Sequence, residues 1–335
     1  MKKTNLILFI LLVIAVTVVV IIFFKQKSEP EKVLRDFAVQ DTAAIDKIFM
    51  ADKSNKTILL ERKSNYWTVN GKFTARRDLV DLLLETICKL EVNSPVPEAK
   101  LDKVLKDLSV TGIKTEIYQH GELTKTYYVG GVTPDNMGTY MIMEGSELPF
   151  IVYIPGFNGY LTVRYNTEIN EWREKNAFNY KIQDIAKVSV KYGDNKDESF
   201  IVEALGKNGY CLKDIDGNDI AFEYDPLILN EFVARCKYIG FEAYIMDELQ
   251  QSKRDSLSKE PMIVQYTIEN KSGETRTLKT YFRQNINKLL DDNGVPYEYD
   301  IDRLYGIIDD KEVVLMQFYV LDPISLTKSE FMVKN

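Results

Sequence analysis

The chain opens with an unbroken apolar segment and then changes to alternating apolar and polar positions. Residues 5–24 are twenty residues without a charge. A helix of that length spans about 30 Å, the thickness of the hydrocarbon core of a bilayer. No small residues close the segment as a signal-peptidase site requires, and no lipoprotein cysteine follows it. The pattern predicts an uncleaved transmembrane signal-anchor over residues 1–27.

Basic residues flank both ends of this segment, so the positive-inside count does not fix its orientation. Lys2 and Lys3 precede it, and Lys25 and Lys27 follow it. A short basic tail before a long apolar segment is the usual layout of a signal-anchor. We therefore expect a single-pass protein of the cytoplasmic (inner) membrane with its N-terminus inside and its body extracytoplasmic, or periplasmic. The charged residues 28–40 are expected to form a stalk.

Beyond the stalk, one pattern of elements occurs twice, over about residues 43–155 and 183–323. Each copy begins as a β-hairpin, continues with a strand that ends in a glycine-containing turn, and then has a helical period. The helical stripes are Leu79, Leu83, Ile87 and Leu90 in the first copy and Leu229, Phe232, Val233 and Cys236 in the second. After a segment of variable length, each copy has a hairpin whose second strand reads Lys-Thr-Tyr-aromatic, at residues 125–128 and 279–282. Another hairpin closes each copy.

The repeated unit is β-β-β-α-β-β-β-β, which predicts the α+β class. We expect two similar lobes, each a mainly antiparallel sheet covered by one helix, in addition to the N-terminal transmembrane helix. The predicted lobes are residues 41–165 and 181–335. Residues 166–180 between them are expected to form a connecting helix with Trp172 as its apolar anchor.

The composition is that of a folded, acidic protein, with 45% hydrophobic residues and a net charge of −7. An acidic chain without a basic stripe repels a phosphate backbone, so nucleic acid is not an expected partner. Cys88, Cys211 and Cys236 are too few and too scattered for a disulfide scaffold or a zinc site, and whether two of them pair stays open. His120, the single histidine, is expected in a hairpin turn.

Two acidic segments resemble calcium loops at first sight. In residues 214–219, Gly217 is fourth where an EF-hand loop has glycine sixth, and Asp225 stands where the loop has glutamate. We interpret this segment and residues 291–294 as turns. No metal, cofactor or catalytic residue is predicted.

The segment Gly130-Gly131-Val132-Thr133-Pro134-Asp135 suggests a phosphate loop. Such loops bind anions because a helix begins directly after them, whereas the pattern here predicts a strand. We expect a tight connection between strands, in which a glycine takes a positive φ and Pro134 fixes a turn.

The first copy carries a family resemblance. The segments that carry it are IDKIFMADKSNKTILLERKSNYWTVNG, the helix after it, YYVGGVTPDNMGTYM and WREKNAF. Over about residues 40–180, the chain resembles the bacterial family known as domain of unknown function 4340. The resemblance implies an N-terminal membrane anchor, an extracytoplasmic domain and a link to ABC-type transport systems, but no known chemistry. The second copy is only loosely similar, with Arg283-Gln284 where the first has Gly130-Gly131.

A loop with two aromatic residues follows the first copy. Phe157 and Tyr160 lie between glycines, where they either serve recognition or wedge the two lobes together. The candidate contacts to a partner or ligand are Phe157, Tyr160, Trp67, Gly130, Gly131, Thr133 and Pro134.

The function expected from these features is that of a non-enzymatic, membrane-anchored scaffold or accessory protein of an ABC-type envelope transport complex. It would offer its sheet edges or the groove between its lobes to a protein partner. Two alternatives stay open: a module that binds an envelope polymer or lipid in that groove, and a carboxylate-dependent hydrolase. The hydrolase requires a deep pocket with clustered carboxylates of perturbed pKa.

Overall fold

The computed structural model describes residues 33–206 and 209–333, together with the single residue Thr17. The expected signal-anchor over residues 1–27 lies outside this part of the chain, apart from that residue. Among the described residues, no helix has the length and apolar character needed to cross a bilayer. The chain divides between Glu174 and Lys175 into two compact units, here named unit 1 and unit 2.

Unit 1 is built on a nine-stranded antiparallel sheet in the order β4-β3-β2-β1-β6-β7-β8-β9-β5. The strands are β1 (Ile45–Ala51), β2 (Thr57–Arg62), β3 (Trp67–Val69), β4 (Phe73–Thr74), β5 (Glu91–Pro95), β6 (Ile113–Gln119), β7 (Glu122–Val132), β8 (Thr139–Met143) and β9 (Phe150–Tyr153). The helices are α1 (Arg77–Lys89), α2 (Glu98–Thr111) and the short α3 (Ile169–Trp172).

Both faces of this sheet carry a helix. On one face, Leu83 and Ile87 of α1 are buried in the main core with the inward residues of β1, such as Ile48. On the other face, Val104 and Leu108 of α2 form a second, smaller core. The prediction of a single covering helix was therefore wrong, because the segment taken as a variable connection forms α2.

Unit 2 contains an eight-stranded antiparallel sheet in the order β13-β12-β11-β16-β17-β18-β19-β15, and β10 pairs with β14. The strands are β10 (Asn176–Asn179), β11 (Ile185–Tyr192), β12 (Phe200–Ala204), β13 (Tyr210–Asp214), β14 (Tyr238–Gly240), β15 (Ala243–Tyr244), β16 (Met262–Asn270), β17 (Thr275–Gln284), β18 (Tyr299–Ile308) and β19 (Glu312–Gln317). The helices are α4 (Pro226–Cys236), α5 (Asp247–Leu257) and α6 (Phe318–Leu321).

The two units follow the same path. In each, a meander of four strands (β1–β4) or three (β11–β13) leads to a first helix, an edge strand and a second helix, and a four-strand meander then completes the sheet. Even a local irregularity recurs, since the pairing with the next strand shifts after Ile45 in β1 and after Ile185 in β11. The expected α+β class with mainly antiparallel sheets is confirmed.

The strand register shows that one of the sequence matches is displaced. Ile117 and Ile268 occupy the same position in β6 and β16, as their pairing with β1 and β11 shows. Ile117 pairs with Lys125, whereas Ile268 pairs with Arg276. Equivalent positions in β7 and β17 are therefore 151 residues apart (276 minus 125), and not 154 as the Lys-Thr-Tyr match requires (279 minus 125).

A shift of three residues moves a side chain to the opposite face of a strand. Tyr127 accordingly lies in the main core of unit 1, whereas Tyr281 lies on the other face with Leu257 of α5. By register, the counterpart of Gly130 is Tyr281, so the comparison of Gly130-Gly131 with Arg283-Gln284 was wrong.

The segments expected to lie between the domains belong to the units. Phe37 and Val39, at the end of the expected stalk, are buried in the main core of unit 1. The expected connecting helix is helical only over Ile169–Trp172, and Trp172 is buried in unit 1. Asn176–Asn179 is a strand of unit 2, because its backbone pairs with β14.

Candidate functional site

The helix α2 of unit 1 packs where β7 ends and residues 133–138 turn into β8. Two adjoining cavities of about 430 and 300 Å³ lie along this turn, and we name them together the unit 1 cleft. Lys103, Asp107 and Thr111 line one side of the larger cavity and Gly131 lines the other. Asn93, Met137 and Ile151 bound the smaller one, while Lys100, Thr133, Pro134 and Tyr140 line both.

The turn is held by its own side chains. The buried Thr133 hydroxyl donates to Asp135 Oδ1 at 2.6 Å and accepts from the Gly138 N–H at 2.9 Å. Asp135 Oδ1 also accepts from the Met137 N–H at 3.1 Å. The residue with positive φ is Asn136, at 58°. The turn is therefore rigid, but it takes its left-handed residue from asparagine.

Gly130 and Gly131 lie within β7, before the turn. The register of pairing between β7 and β8 shifts between Val129 and Val132, where these glycines are located. Neither glycine has a positive φ, so the predicted reason for glycine here was wrong. A Cβ on Gly130 would lie 2.7 Å from Leu108 Cδ2 and 2.9 Å from the Tyr140 carbonyl oxygen. Gly130 thus permits α2 to approach the sheet closely, whereas a Cβ on Gly131 would meet nothing within 4 Å.

The rim of the unit 1 cleft carries charges of both signs. Lys100 and Lys103 are exposed, and neither forms an ion pair within 4.0 Å in the described part of the chain. The pKa of Asp135 is lowered, first by the Thr133 hydroxyl, then by the Met137 N–H, and also by the charge of Lys100. Such a cleft, with an apolar floor from Val104 and a charged rim, is suited to binding.

Unit 2 has a cavity in the corresponding place, between α5 and the facing ends of β17 and β18. This unit 2 cleft has a volume of about 260 Å³ and is lined chiefly by Lys253, Glu260, Phe282, Arg283, Tyr299 and Tyr305. Val129 pairs with Met141 in unit 1, and its counterpart Thr280 pairs with Gly306 in unit 2. Tyr140 directly precedes Met141, and Tyr305 directly precedes Gly306. The two tyrosines are therefore at equivalent positions, and each lines the cleft of its unit.

In each unit an aspartate also lies five residues before that tyrosine; Asp135 lines the unit 1 cleft, and Asp300 lies behind Arg283 of the unit 2 cleft. Asp300 resembles Asp135 in accepting a hydrogen bond from the backbone N–H two residues later, here Asp302 at 3.0 Å. Asp300 is only 4% exposed and forms an ion pair with Arg283. Burial alone would raise the pKa of Asp300, but the backbone N–H groups of Asp302 and Arg303 and the Arg283 charge outweigh it, so this pKa is lowered.

The comparison with known proteins identifies the family. The family described as Domain of unknown function (DUF4340) matches residues 67–257, more than half of the chain. The chain belongs to this family. No curated protein and no solved structure was found to match it. The matched region of this DUF4340 chain includes every residue that lines the unit 1 cleft and ends at Leu257, the last residue of α5.

The other predicted contact residues of the DUF4340 chain lie outside the unit 1 cleft. Trp67 is 7% exposed, with the Arg62 guanidinium 4.5 Å from its ring centroid. Phe157 is half-buried under Arg164, and Tyr160 is exposed. The structure thus brings Gly131, Thr133 and Pro134 together at the cleft, with Gly130 beneath α2, and leaves the three aromatic residues elsewhere in unit 1.

The remaining sequence candidates form local turns. His120 has a φ of 54° in the turn between β6 and β7. Asp214 and Asp291 each accept two hydrogen bonds from backbone N–H groups that follow them within four residues. In the described residues, no three or more His, Cys, Asp or Glu side chains are grouped to hold a metal ion. All three cysteines are free thiols, and burial raises the pKa of Cys236.

The sequence interpretation missed α2 and therefore the lysines of the cleft. A signal was present, because Leu101, Val104, Leu105 and Leu108 follow helical spacing after Pro97. The corresponding signal in α5 is weak, since Leu249 and Leu257 are its only apolar residues.

Proposed function

We propose that this DUF4340 chain is a non-enzymatic accessory protein that binds a protein partner through the unit 1 cleft. Residues 1–27 anchor it in the cytoplasmic membrane, and both units lie outside the cytoplasm. The anchor is supported by the uncharged residues 5–24. The family resemblance supports an ABC-type envelope transport complex as the setting.

The observation that carries the proposal is the unit 1 cleft itself. Its two adjoining cavities, of about 430 and 300 Å³, share a rigid wall at Thr133 and Pro134. Cavities of this size are typical of preformed binding sites. A fixed apolar floor with a mixed-charge rim suits a protein segment that inserts an apolar side chain and places polar groups around it.

A partner that binds through the cleft is favoured over one that adds a strand to the sheet. At one edge of the unit 1 sheet, β4, the Thr74 carbonyl already accepts from the Glu174 N–H; the other edge is β5, which contains Pro95 and has a pairing shift between Val92 and Ser94. Proline lacks an N–H to donate, and bulges twist an edge away from new strands. Both features hinder strand addition at this edge.

The non-enzymatic part of the proposal is supported by what lines the unit 1 cleft. Its carboxylates are those of Asp107 and Asp135, and the Asp135 carboxylate is engaged by Thr133 and Met137. The only histidine of the chain, His120, lies in a turn between two strands. General acid–base or nucleophilic catalysis needs such groups within hydrogen-bond reach of one another.

Site-specific photo-crosslinking tests this function. The full-length protein carries p-benzoylphenylalanine at Lys103, which lines the cleft, or at Lys106, an exposed residue of the same helix that does not. After irradiation of intact membranes, we expect a discrete crosslinked membrane-complex protein from position 103 and not from position 106. Transporter subunits in that product support the transport setting. Identical products at both positions, or only lipid or glycan adducts at position 103, contradict partner binding.

Membrane orientation is tested separately. Protease added to spheroplasts of cells that produce the full-length chain should digest both units, because they are proposed to face outward. Complete protection in intact spheroplasts, with digestion after lysis, would instead place the body in the cytoplasm.

A further inference from the structure

The unit 2 cleft presents aromatic surface to solvent. The rings of Phe282 and Tyr299 are stacked, with centroids 4.6 Å apart and planes inclined by 22°. Phe282 remains 43% exposed. On the same cleft, the Lys253 ammonium lies 4.0 Å from the ring centroid of Tyr305. The exposed part of the Phe282 ring, backed by Tyr299, gives the cleft an apolar surface that a flat apolar ligand face would cover, whereas Lys253 already lies over the ring of Tyr305.

The polar groups around this surface are fixed in place. Arg283 donates from Nη1 to Asp300, and their side chains are only 13% and 3% exposed. Asp300 is itself fixed by the N–H groups of Asp302 and Arg303, each at 3.0 Å. A guanidinium has five N–H donors, so this ion pair orients Arg283 without exhausting its hydrogen-bonding capacity. Preorganised donors of this kind are typical of ligand sites.

The charges of the cleft balance. Lys253 and Arg283 are positive, whereas Glu260 and the Asp300 behind Arg283 are negative. An anionic ligand would meet repulsion from the carboxylates as well as attraction, so the site gives it no net advantage. The charge balance therefore favours a neutral ligand that is rich in hydroxyl groups.

We propose that the unit 2 cleft binds a neutral carbohydrate. A pyranose ring has an apolar C–H face and a rim of hydroxyls, and the cleft offers the aromatic pair Phe282–Tyr299 beside fixed donors and acceptors. The volume of about 260 Å³ is sufficient for one ring at a time, with neighbouring rings of an oligosaccharide outside. This site is separate from the unit 1 cleft and does not depend on the function proposed for it.

Titration calorimetry of the full-length protein tests the proposal, in a detergent without a sugar headgroup. The probes are the neutral tetrasaccharides tetra-N-acetylchitotetraose (chitotetraose below), cellotetraose, maltotetraose and mannotetraose, and a hyaluronate tetrasaccharide as the anionic match to chitotetraose. We expect saturable binding of at least one neutral probe. Phe282→Ala should weaken it about tenfold, as the loss of one stacked ring predicts, and Phe282→Tyr should retain it.

Controls separate the site from the fold and from unit 1. Tyr140→Ala in the unit 1 cleft should leave glycan affinity unchanged, and Gln284→Ala on the rim of the unit 2 cleft should weaken it without removing core packing. Hydrogen exchange of β17 and β18 reports whether Phe282→Ala is folded. The proposal is overturned if no neutral probe binds, if hyaluronate binds as tightly as chitotetraose, or if Gln284→Ala and a folded Phe282→Ala both bind as wild type. None of these results affects the crosslinks expected from position 103.

Discussion

Units 1 and 2 share the path of their sheets but differ where the second helix meets the end of a strand. In unit 1, Gly130 permits close packing of α2, and residues 133–138 form a tight turn into β8. In unit 2, the position of Gly130 is taken by Tyr281, and the connection from β17 to β18 is more than twice as long, over residues 285–298. The scaffold is therefore the same, and the clefts differ at one corner of it.

The equivalent aspartates Asp135 and Asp300 make the same backbone hydrogen bond but stabilise different groups. Asp135 and Asp300 each accept from the N–H two residues later, which fixes the turn before β8 in unit 1 and the irregular stretch between Tyr299 and Leu304 of β18 in unit 2. The exposed Asp135 adds only the Thr133 hydroxyl, whereas the buried Asp300 holds Arg283. The same hydrogen bond thus stabilises a loop in unit 1 and holds the acceptor of a charged group in unit 2.

The positions of the tryptophans allow the unfolding of the two units to be measured separately. Both of its tryptophans, Trp67 and Trp172, are buried in unit 1. Tryptophan fluorescence during denaturant unfolding therefore reports unit 1, while hydrogen exchange of individual strands reports either unit. All variants are compared in the full-length protein, with the reporter of the unit that carries the substitution.

The largest difference is expected for the two aspartates. Asp300→Asn should lower the free energy of unfolding of unit 2 by about 3–5 kcal/mol, because it leaves the Arg283 side chain, only 13% exposed, without its counter-charge. Asp135→Asn, at a fully exposed site, should lower that of unit 1 much less, because water replaces the lost interactions. Hydrogen exchange of β16–β19 and tryptophan fluorescence measure the two effects. Equal losses in both units would mean that the Arg283–Asp300 pair adds nothing to the backbone hydrogen bond that both aspartates accept.

The effect of Asp300 should also depend on pH. Its pKa is lower in the folded protein than in the unfolded chain, so its stabilising contribution is complete above the ordinary carboxyl pKa of about 3.9. That contribution is lost as the pH falls through the folded-state pKa. The stability gap between wild type and Asp300→Asn should therefore be full at neutral pH and should narrow at acid pH. A gap that is constant with pH would show that the ionised carboxylate is not the stabilising species.

The next largest difference should separate two adjacent glycines. Gly130→Ala should lower the free energy of unfolding of unit 1 by about 1–3 kcal/mol, because the added methyl collides with Leu108 and the Tyr140 carbonyl. Gly131→Ala meets open space and should change it by no more than about 0.5 kcal/mol. Tryptophan fluorescence measures both variants. Similar losses at the two positions would contradict close packing of α2 as the reason for Gly130.

The sequence predicted the hairpins and the first helix of each unit because their apolar positions recur with a strong period. In α4, the predicted stripe of Leu229, Phe232, Val233 and Cys236 is the buried face. The second helices were not predicted. The spacing in α2 follows a proline and carries many charges, and α5 has two apolar residues. Periodicity finds a helix only when its buried stripe is wide.

The site itself was predicted only in part, for a related reason. Thr133 and Pro134 mark a turn by residue type alone, and they line the cleft. The opposite wall comes from α2, whose approach depends on Gly130 and on packing that no local pattern encodes. The alignment of β17 with β7 was wrong for a similar reason. It matched Lys-Thr-Tyr at residues 279–281 to Lys-Thr-Tyr at residues 125–127, although strand pairing places Tyr281 on the opposite face of the sheet from Tyr127.

A smaller effect should come from the hydroxyl that holds the unit 1 turn, which has no counterpart in the longer connection of unit 2. Thr133→Val should lower the free energy of unfolding of unit 1 by about 1–2 kcal/mol, since it removes the bonds to Asp135 and to the Gly138 N–H. Thr133→Ser keeps the hydroxyl and should lose much less. If both variants lose the same amount, the methyl group rather than the hydroxyl stabilises the turn.

The smallest difference concerns how the first helix of each unit begins. Asp225 caps α4, because its Oδ1 accepts from the Leu227 N–H at 2.8 Å, whereas Arg76 at the start of α1 makes no such bond. Asp225→Ala should lower the free energy of unfolding of unit 2 by about 1 kcal/mol. Asp225→Ser, which retains a capping oxygen, should recover most of that loss. Hydrogen exchange at the first turn of α4 measures the effect. If Asp225→Ser is as unstable as Asp225→Ala, the loss comes from the negative charge at the helix start rather than from the capping hydrogen bond.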